Sequence, residues 1–246
     1  MNLKYKILAV LAATVLLTAC GGTTAGSPAA SAPASSAAAA SSAAAASSRV
    51  PETGVAEPMN MLWQLDSLDD AKMTTIVSAD IASEVKDGKV TIRVYSYDIY
   101  DKEAVDRLAA GDKIVCHREY MTGNQLAEIE VQSIEKNDEY QIVSINGGME
   151  NEDGLDLMQM DENRYRTMTF DDYPIYYEMG EKTMPLAEDV VLKDSSADPQ
   201  ADAVETTGAD VVAAALNAEP DGWYVYNTTV TVQGGKIREI RRIWVP

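Results

Sequence analysis

In Lys86-Asp87-Gly88-Lys89-Val90-Thr91-Ile92-Arg93-Val94-Tyr95, an Asp-Gly pair opens a run of alternating residues. Asp87-Gly88 is a two-residue turn of the kind that needs positive φ and joins two antiparallel strands. Beyond it, Val90, Ile92 and Val94 alternate with Thr91, Arg93 and Tyr95, the period of a strand with one dry face and one wet face. Residues 75–85, before the turn, are apolar enough to be its partner. A hairpin is expected here.

Outward from that hairpin the signals stay short. Residues 62–70 predict a turn of helix or an irregular cap. Asp101 suits an N-cap, and Val105 and Leu108 stand three apart before Gly111, so a short helix is expected over 101–110. Strand-like runs follow at 113–118, 126–134 and 140–145. Thr122-Gly123-Asn124 and Asn137-Asp138 divide them, and Asn146-Gly147-Gly148 closes the set. Residues 164–170, 175–179 and 189–192 are further candidate strands, with Pro174 and Pro185 pushing their neighbours toward edges. Residues 195–207 read as an acidic loop. Residues 209–217 read as a helix with Val211, Val212 and Leu216 as its apolar stripe.

The last hairpin is ambiguous. Residues 223–232 predict a long aromatic and β-branched strand that turns at Gly234-Gly235 into 236–245. There Ile237, Ile240 and Ile243 recur every three residues, a helical spacing. Their β-branching and the Gly-Gly turn favour a strand with a bulge. Many short strands, close turns and two short helices indicate a mainly β chain. The expectation is a single β-barrel or β-sandwich-like domain over residues 51–246. Two tandem halves meeting near 147–154 are the alternative, and no internal repeat relates them.

The chain carries 39 acidic against 20 basic residues, a net charge of −19. An excess of this size disfavours nucleic acid and an anionic bilayer surface, both of which would repel it. Cysteine occurs only at 20 and 116.

Lys4 and Lys6 precede an apolar or small run over 7–19, the layout of an export signal that is too short to span a bilayer. Its end, Leu17-Thr18-Ala19-Cys20, resembles the lipobox of bacterial lipoprotein precursors. The resemblance implies a diacylglyceryl group on the Cys20 thiol and cleavage just before it, leaving the chain anchored in the cell membrane with its folded part on the extracytoplasmic side. Two acyl chains hold durably, since each buried methylene contributes roughly 0.8 kcal/mol. Residues 21–48 contain only Gly, Thr, Ala, Ser and Pro. Such a segment buries too little apolar surface to offset its ordering entropy. With Cys20 it is expected to form a disordered linker over 20–50, holding the folded part off the membrane at a distance on the order of 30 Å. Cys116 is then left without a disulfide partner.

Few residues suggest chemistry. Cys116 and His117 are neighbours, but on a strand they point to opposite faces and make no dyad. Cys116 is expected on the Ile114 face as a small buried hydrophobe. Glu152, Asp153 and Asp156 lie in an acidic, Gly-containing loop that could offer oxygens to Ca²⁺, although the spacing is not that of an EF-hand. Apart from this possible calcium, no cofactor is expected. Tyr173, Tyr176 and Tyr177 belong to the densest aromatic patch and are the candidate ligand-binding residues, the alternative being cross-strand packing. Lys236, Arg238, Arg241 and Arg242 form a basic strip expected to pair across the sheet. No phosphate-cradling or dinucleotide motif is present. The function expected is a non-enzymatic binding or envelope-accessory lipoprotein, with an unknown protein or small molecule as partner. A carboxylate-based envelope hydrolase is the alternative.

Overall fold

The Asp87-Gly88 turn forms as expected. Both residues have positive φ, 51° and 68°, and Lys86 and Lys89 exchange backbone hydrogen bonds of 2.9 Å. The computed structural model describes residues 54–118 and 125–245. The expected signal peptide, Cys20, the linker and the turn at 122–124 lie outside the described residues.

In chain order the strands are β1 (Val55–Ala56), β2 (Thr74–Ile81), β3 (Lys89–Tyr97), β4 (Ile99–Asp101), β5 (Lys113–His117), β6 (Leu126–Glu130) and β7 (Ile134–Asn137). They continue with β8 (Ile142–Ile145), β9 (Leu155–Asp161), β10 (Arg164–Thr167), β11 (Tyr176–Ser195), β12 (Val204–Thr207), β13 (Thr228–Gln233) and β14 (Lys236–Ile243). Two α-helices, α1 (Lys102–Asp106) and α2 (Ala209–Ala218), accompany a 3-10 turn at Leu65–Asp69. The protein is mainly β.

β3 pairs antiparallel with β2, β2 with β13, and β13 with β14. β14 lies parallel to the second half of β11, and the first half of β11 runs antiparallel to β3. The ring therefore closes in the order β2-β3-β11-β14-β13 and back to β2, with β12 added along β11. Five strands joined in this order make a Greek-key barrel, the architecture that OB folds use. Val77, Ile92, Val94, Val230 and Ile240 line its core, and Val212 and Leu216 of α2 pack onto the same cluster.

Residues 98–175 are inserted between β3 and β11. They form a five-stranded sheet, β4-β10-β9-β8-β7, and a three-stranded sheet in which β5 pairs with β6 and with the N-terminal β1. This insert has its own core, including Tyr100, Ile114, Cys116, Ile145 and Leu157.

Six expectations need correction. Residues 126–134 are not one strand, since β6 ends at Glu130 and Ile134 opens β7 in the other sheet of the insert. Val211, expected in the apolar stripe of α2, is exposed. Residues 175–179 and 189–192 are not separate strands but parts of the 20-residue β11. Pro185 does not end it, because it stands where β11 leaves β3 for β14. The register shifts there between Leu186 and Val191, so the missing N–H falls at a change of partner. Residues 223–227 are a turn rather than strand, since Asn227 donates its N–H to the Tyr224 carbonyl and accepts the Tyr224 N–H on its side chain. The acidic loop after β11 ends in β12. Finally, α1 stops at Asp106. Asp101 caps it by accepting from Ala104 N–H at 3.0 Å, but the Asp112 carboxylate captures the Ala109 N–H at 2.8 Å and turns the chain.

The bulge in the last hairpin is real. Thr231 opposes Glu239 and Val232 opposes Ile237, so Arg238 is the extra residue. The bulge shifts the alternation by one, which places Ile237 and Ile240 both inside.

Candidate functional site

Chain leaves the barrel at Tyr97 and returns at Tyr176, and these two residues are direct partners across β3 and β11. Val90, Ile92 and Val94 fill the barrel, so Tyr95 and Tyr97 stand on its outer face. A row of edge-to-face rings follows. Tyr97 meets Tyr176 at 5.7 Å, Tyr176 meets Tyr226 at 5.7 Å, and Tyr226 meets Tyr173 at 5.0 Å. Asp80 fixes the base of this face, accepting the Tyr95 hydroxyl and the Val225 N–H, each at 2.8 Å. Burial, with Asp80 beside it, pushes the Tyr95 phenol up to about 12.

The insert contributes Arg166 from β10. Its guanidinium donates to the carbonyls of Thr167 (3.0 Å) and Asp172 (2.6 Å) and to the Met158 sulfur (3.2 Å). Burial lowers its pKa against the opposing pull of Tyr97, Tyr176 and Asp172. Burial likewise raises the Tyr97 phenol, while Arg166 and Arg164 draw it back.

On the opposite face lies a buried polar lock between barrel and insert. Asp98 accepts the His117 backbone N–H at 2.6 Å and pairs with His117 Nδ1 at 2.7 Å. Tyr177 stacks on the imidazole, with centroids 3.5 Å apart and planes 17° from parallel. The Tyr100 hydroxyl donates to the Val115 carbonyl at 2.8 Å beside the same carboxylate. Burial pushes Tyr177 up to about 12.

The candidates singled out from sequence are thus divided. Tyr173 and Tyr176 share the aromatic row. Tyr177, next to Tyr176 on one strand, necessarily faces the other way and belongs to the lock. Cys116 is buried with Ile114 in the insert's core, as expected, and burial pushes its thiol up to about 12. In the basic strip Arg238 pairs with Asp189 and Arg242 with Asp194 and Glu219.

Glu152, Asp153 and Asp156 are not drawn together. Arg118 pairs with Asp153 at 3.0 Å, and Asp156 accepts from the Ser144 hydroxyl and the Met149 N–H. Among the described residues no three His, Cys, Asp or Glu groups gather as a metal cage. Asparagine orders this loop instead. The Asn146 side chain bonds Gln132, Ser133, Glu130 and Asp153 main-chain groups, and Asn151 bonds the Asn146 and Gly147 carbonyls. The packing is tight enough to require glycine at 154, where a Cβ would stand 1.7 Å from the Gly148 carbonyl oxygen. Gly154→Ala is expected to destabilise the protein by about 1–3 kcal/mol, measured by urea unfolding. No measurable change would show that the loop yields freely.

Asp98 and Arg166 were not among the residues singled out from sequence. Asp98 had a signal, a lone acid between Tyr97 and Ile99 in an aromatic strand run. Arg166 had none, because its setting combines Met158 and Asp172 of the insert with Tyr97 and Tyr176 of the barrel. The fold defines a mainly β chain in which an insert completes one face of a small barrel. No family model, curated protein or solved structure matches it.

Proposed function

We propose that this chain is a bacterial lipoprotein, anchored in the cell membrane through Cys20. Its folded part is then a non-enzymatic binding module on the extracytoplasmic side, with its ligand on the tyrosine face. The observation that carries the binding reading is the row Tyr97, Tyr176, Tyr226 and Tyr173, built jointly by barrel and insert beside Arg166. Aromatic rings with hydroxyls supply flat contact area and a polar handle at little entropic cost. Greek-key barrels of the OB type bind ligands on their second and third strands, here β3 and β11, which supports the reading by analogy of fold alone.

Three carboxyls are unsuited to act as the acid of the hydrolase alternative. Burial pushes Asp106 and Asp194 up, yet their Lys and Arg partners outweigh it and leave both below the ordinary carboxylate range. Arg164 holds Asp161 low as well. A general acid needs the opposite displacement.

Anchor and binding are tested separately. Cys20→Ser is expected to move the protein from the membrane fraction to the soluble fraction and to abolish labelled fatty-acid incorporation. Unchanged fractionation and labelling would refute the anchor. For binding, thermal unfolding of the full chain against sugars, peptides and cell-wall fragments should reveal one saturable stabiliser. A ligand at a hundredfold excess over its Kd adds about 2.7 kcal/mol. A flat panel would count against the binding module.

A further inference from the structure

We propose that the tyrosine face binds a glycan bearing isolated carboxylates, and that Arg166 pairs with the carboxylate. This rests on the binding reading above and names its ligand class.

Most other arginines face carboxylates. Arg242 lies against Asp194 and Glu219, Arg238 against Asp189, Arg93 against Glu181 and Arg164 against Asp161. In a protein of net charge −19, carboxylate partners are abundant. Arg166 differs. Its hydrogen bonds go to two backbone carbonyls and one sulfur, and among the described residues it forms no ion pair. Neutral acceptors orient a guanidinium without neutralising it. Its Nε–H has no hydrogen-bond partner among the described residues. The Asp172 carboxylate acts on it electrostatically without closing an ion pair, so the group is oriented, partly desolvated and still open to a contacting carboxylate. A planar fork suits a carboxylate, which can accept two of its N–H groups.

The rings set the rest of the ligand. Tyr97 and Tyr176 lie within electrostatic reach of Arg166, Tyr226 and Tyr173 continue the row, and Arg166 holds the carbonyl that precedes Tyr173. Tyr97 and Tyr173 are half-buried and partly open, whereas Tyr176 is buried and the Tyr226 hydroxyl is enclosed, so these two back the face rather than line it. A pyranose ring offers a flat apolar face and a rim of hydroxyls, which such phenols complement. Charge limits the choice further. A nucleic acid, with an anion on every unit, would meet the field of the whole acidic protein. A sugar chain with a carboxylate on alternate units meets Arg166 locally and presents neutral rings to the remaining tyrosines.

The test is calorimetric titration of the full chain in detergent with a hyaluronan hexasaccharide, in which glucuronate alternates with N-acetylglucosamine. A chitin hexasaccharide and an acidic peptide with three carboxylates serve as comparisons. Saturable binding of the hyaluronan fragment is expected, tighter than chitin by about tenfold or more, the value of a charge-assisted pair. Added salt should weaken the hyaluronan complex and leave the chitin complex unchanged, a readout that needs no variant. Arg166→Gln should erase the preference while the thermal unfolding curve stays cooperative. Arg166→Lys, which keeps charge without the fork, should fall between.

Equal affinity for chitin and hyaluronan would overturn the carboxylate assignment and leave the binding module standing. Preference for the peptide, or full affinity in Arg166→Gln, would overturn it too. Binding of none of the three would overturn this inference, and the broader thermal panel would then decide the module itself.

Discussion

Asp98→Ala is expected to lower stability by about 3–5 kcal/mol, the largest loss of any single carboxylate in the described structure. Asp98 is 1% exposed and His117 3%. Removing the carboxylate leaves the His117 main-chain N–H and its ring Nδ1 without their acceptor in a site from which water is excluded. Each orphaned donor costs roughly 1–3 kcal/mol. The lock also joins the barrel exit at 98 to β5 of the insert and to Tyr177 of β11, so its loss loosens both bodies. Asp98→Asn keeps the shape and one acceptor, and about half the loss is expected. Urea unfolding measures both. A loss below about 1 kcal/mol in Asp98→Ala would show that packing alone, chiefly the Tyr177–His117 stack, holds the junction.

Arg242→Ala is the second large effect, expected at about 3–4 kcal/mol and dependent on pH. The Arg242 side chain is 10% exposed. It reaches Asp194 at 2.5 Å and Glu219 at 2.6 Å, and its guanidinium carbon stands 4.1 Å from the Trp223 ring centre. Glu219 is 62% exposed and adds little. Asp194, at 24%, is the partner that suffers. Burial pushes its carboxyl up, but hydrogen bonds from Arg242 and Ser196 win and hold it below its ordinary value. A carboxyl with a depressed folded-state pKa contributes stability that is present above the unfolded value, near 3.9, and is lost as pH falls through the folded value. Wild type should therefore weaken below about pH 4 in part through Asp194. Arg242→Ala should start weaker at pH 7 and lose less on acidification. Parallel curves for the two proteins would mean that Asp194 does not report on Arg242.

Much of the architecture could be read from local pattern. Asp87-Gly88 and the alternation after it specified the hairpin, and three-residue spacing with β-branching at 237–243 specified a bulged strand. Asp101 announced the start of α1. What escaped depended on distance in sequence. Whether residues 175–195 are one strand or two rests on partners 80 or more residues before and about 50 after, and Pro185 read alone argues for a break. Ring closure has no local signature at all. The same holds for the site. Tyr173 and Tyr176 were visible as aromatic density, but adjacent strand positions separate Tyr177 from them. Asp98 and Arg166 acquire their roles only when partners elsewhere in the insert and tyrosines of the barrel come together around them. In the loop at 146–156 composition shows the acids but not that Asn146 orders the chain, because that residue reaches back to Glu130, Gln132 and Ser133.

Because Tyr97 and Tyr176 are opposed in one antiparallel pair, the 78 residues between them depart and return only about 5 Å apart. A two-residue turn would bridge the same gap. The barrel thus makes no demand on the length or architecture of what is inserted there, and the entropic cost of a longer excursion grows only with the logarithm of its length. Arg166 and Tyr173 belong to the excursion, Tyr97 and Tyr176 to the ring, and Tyr226 to the turn that leads into β13. Recognition is accordingly separable from scaffold: an exchanged excursion would rewrite part of the contact surface, provided it replaced the Asp98–His117 pair that packs on Tyr177.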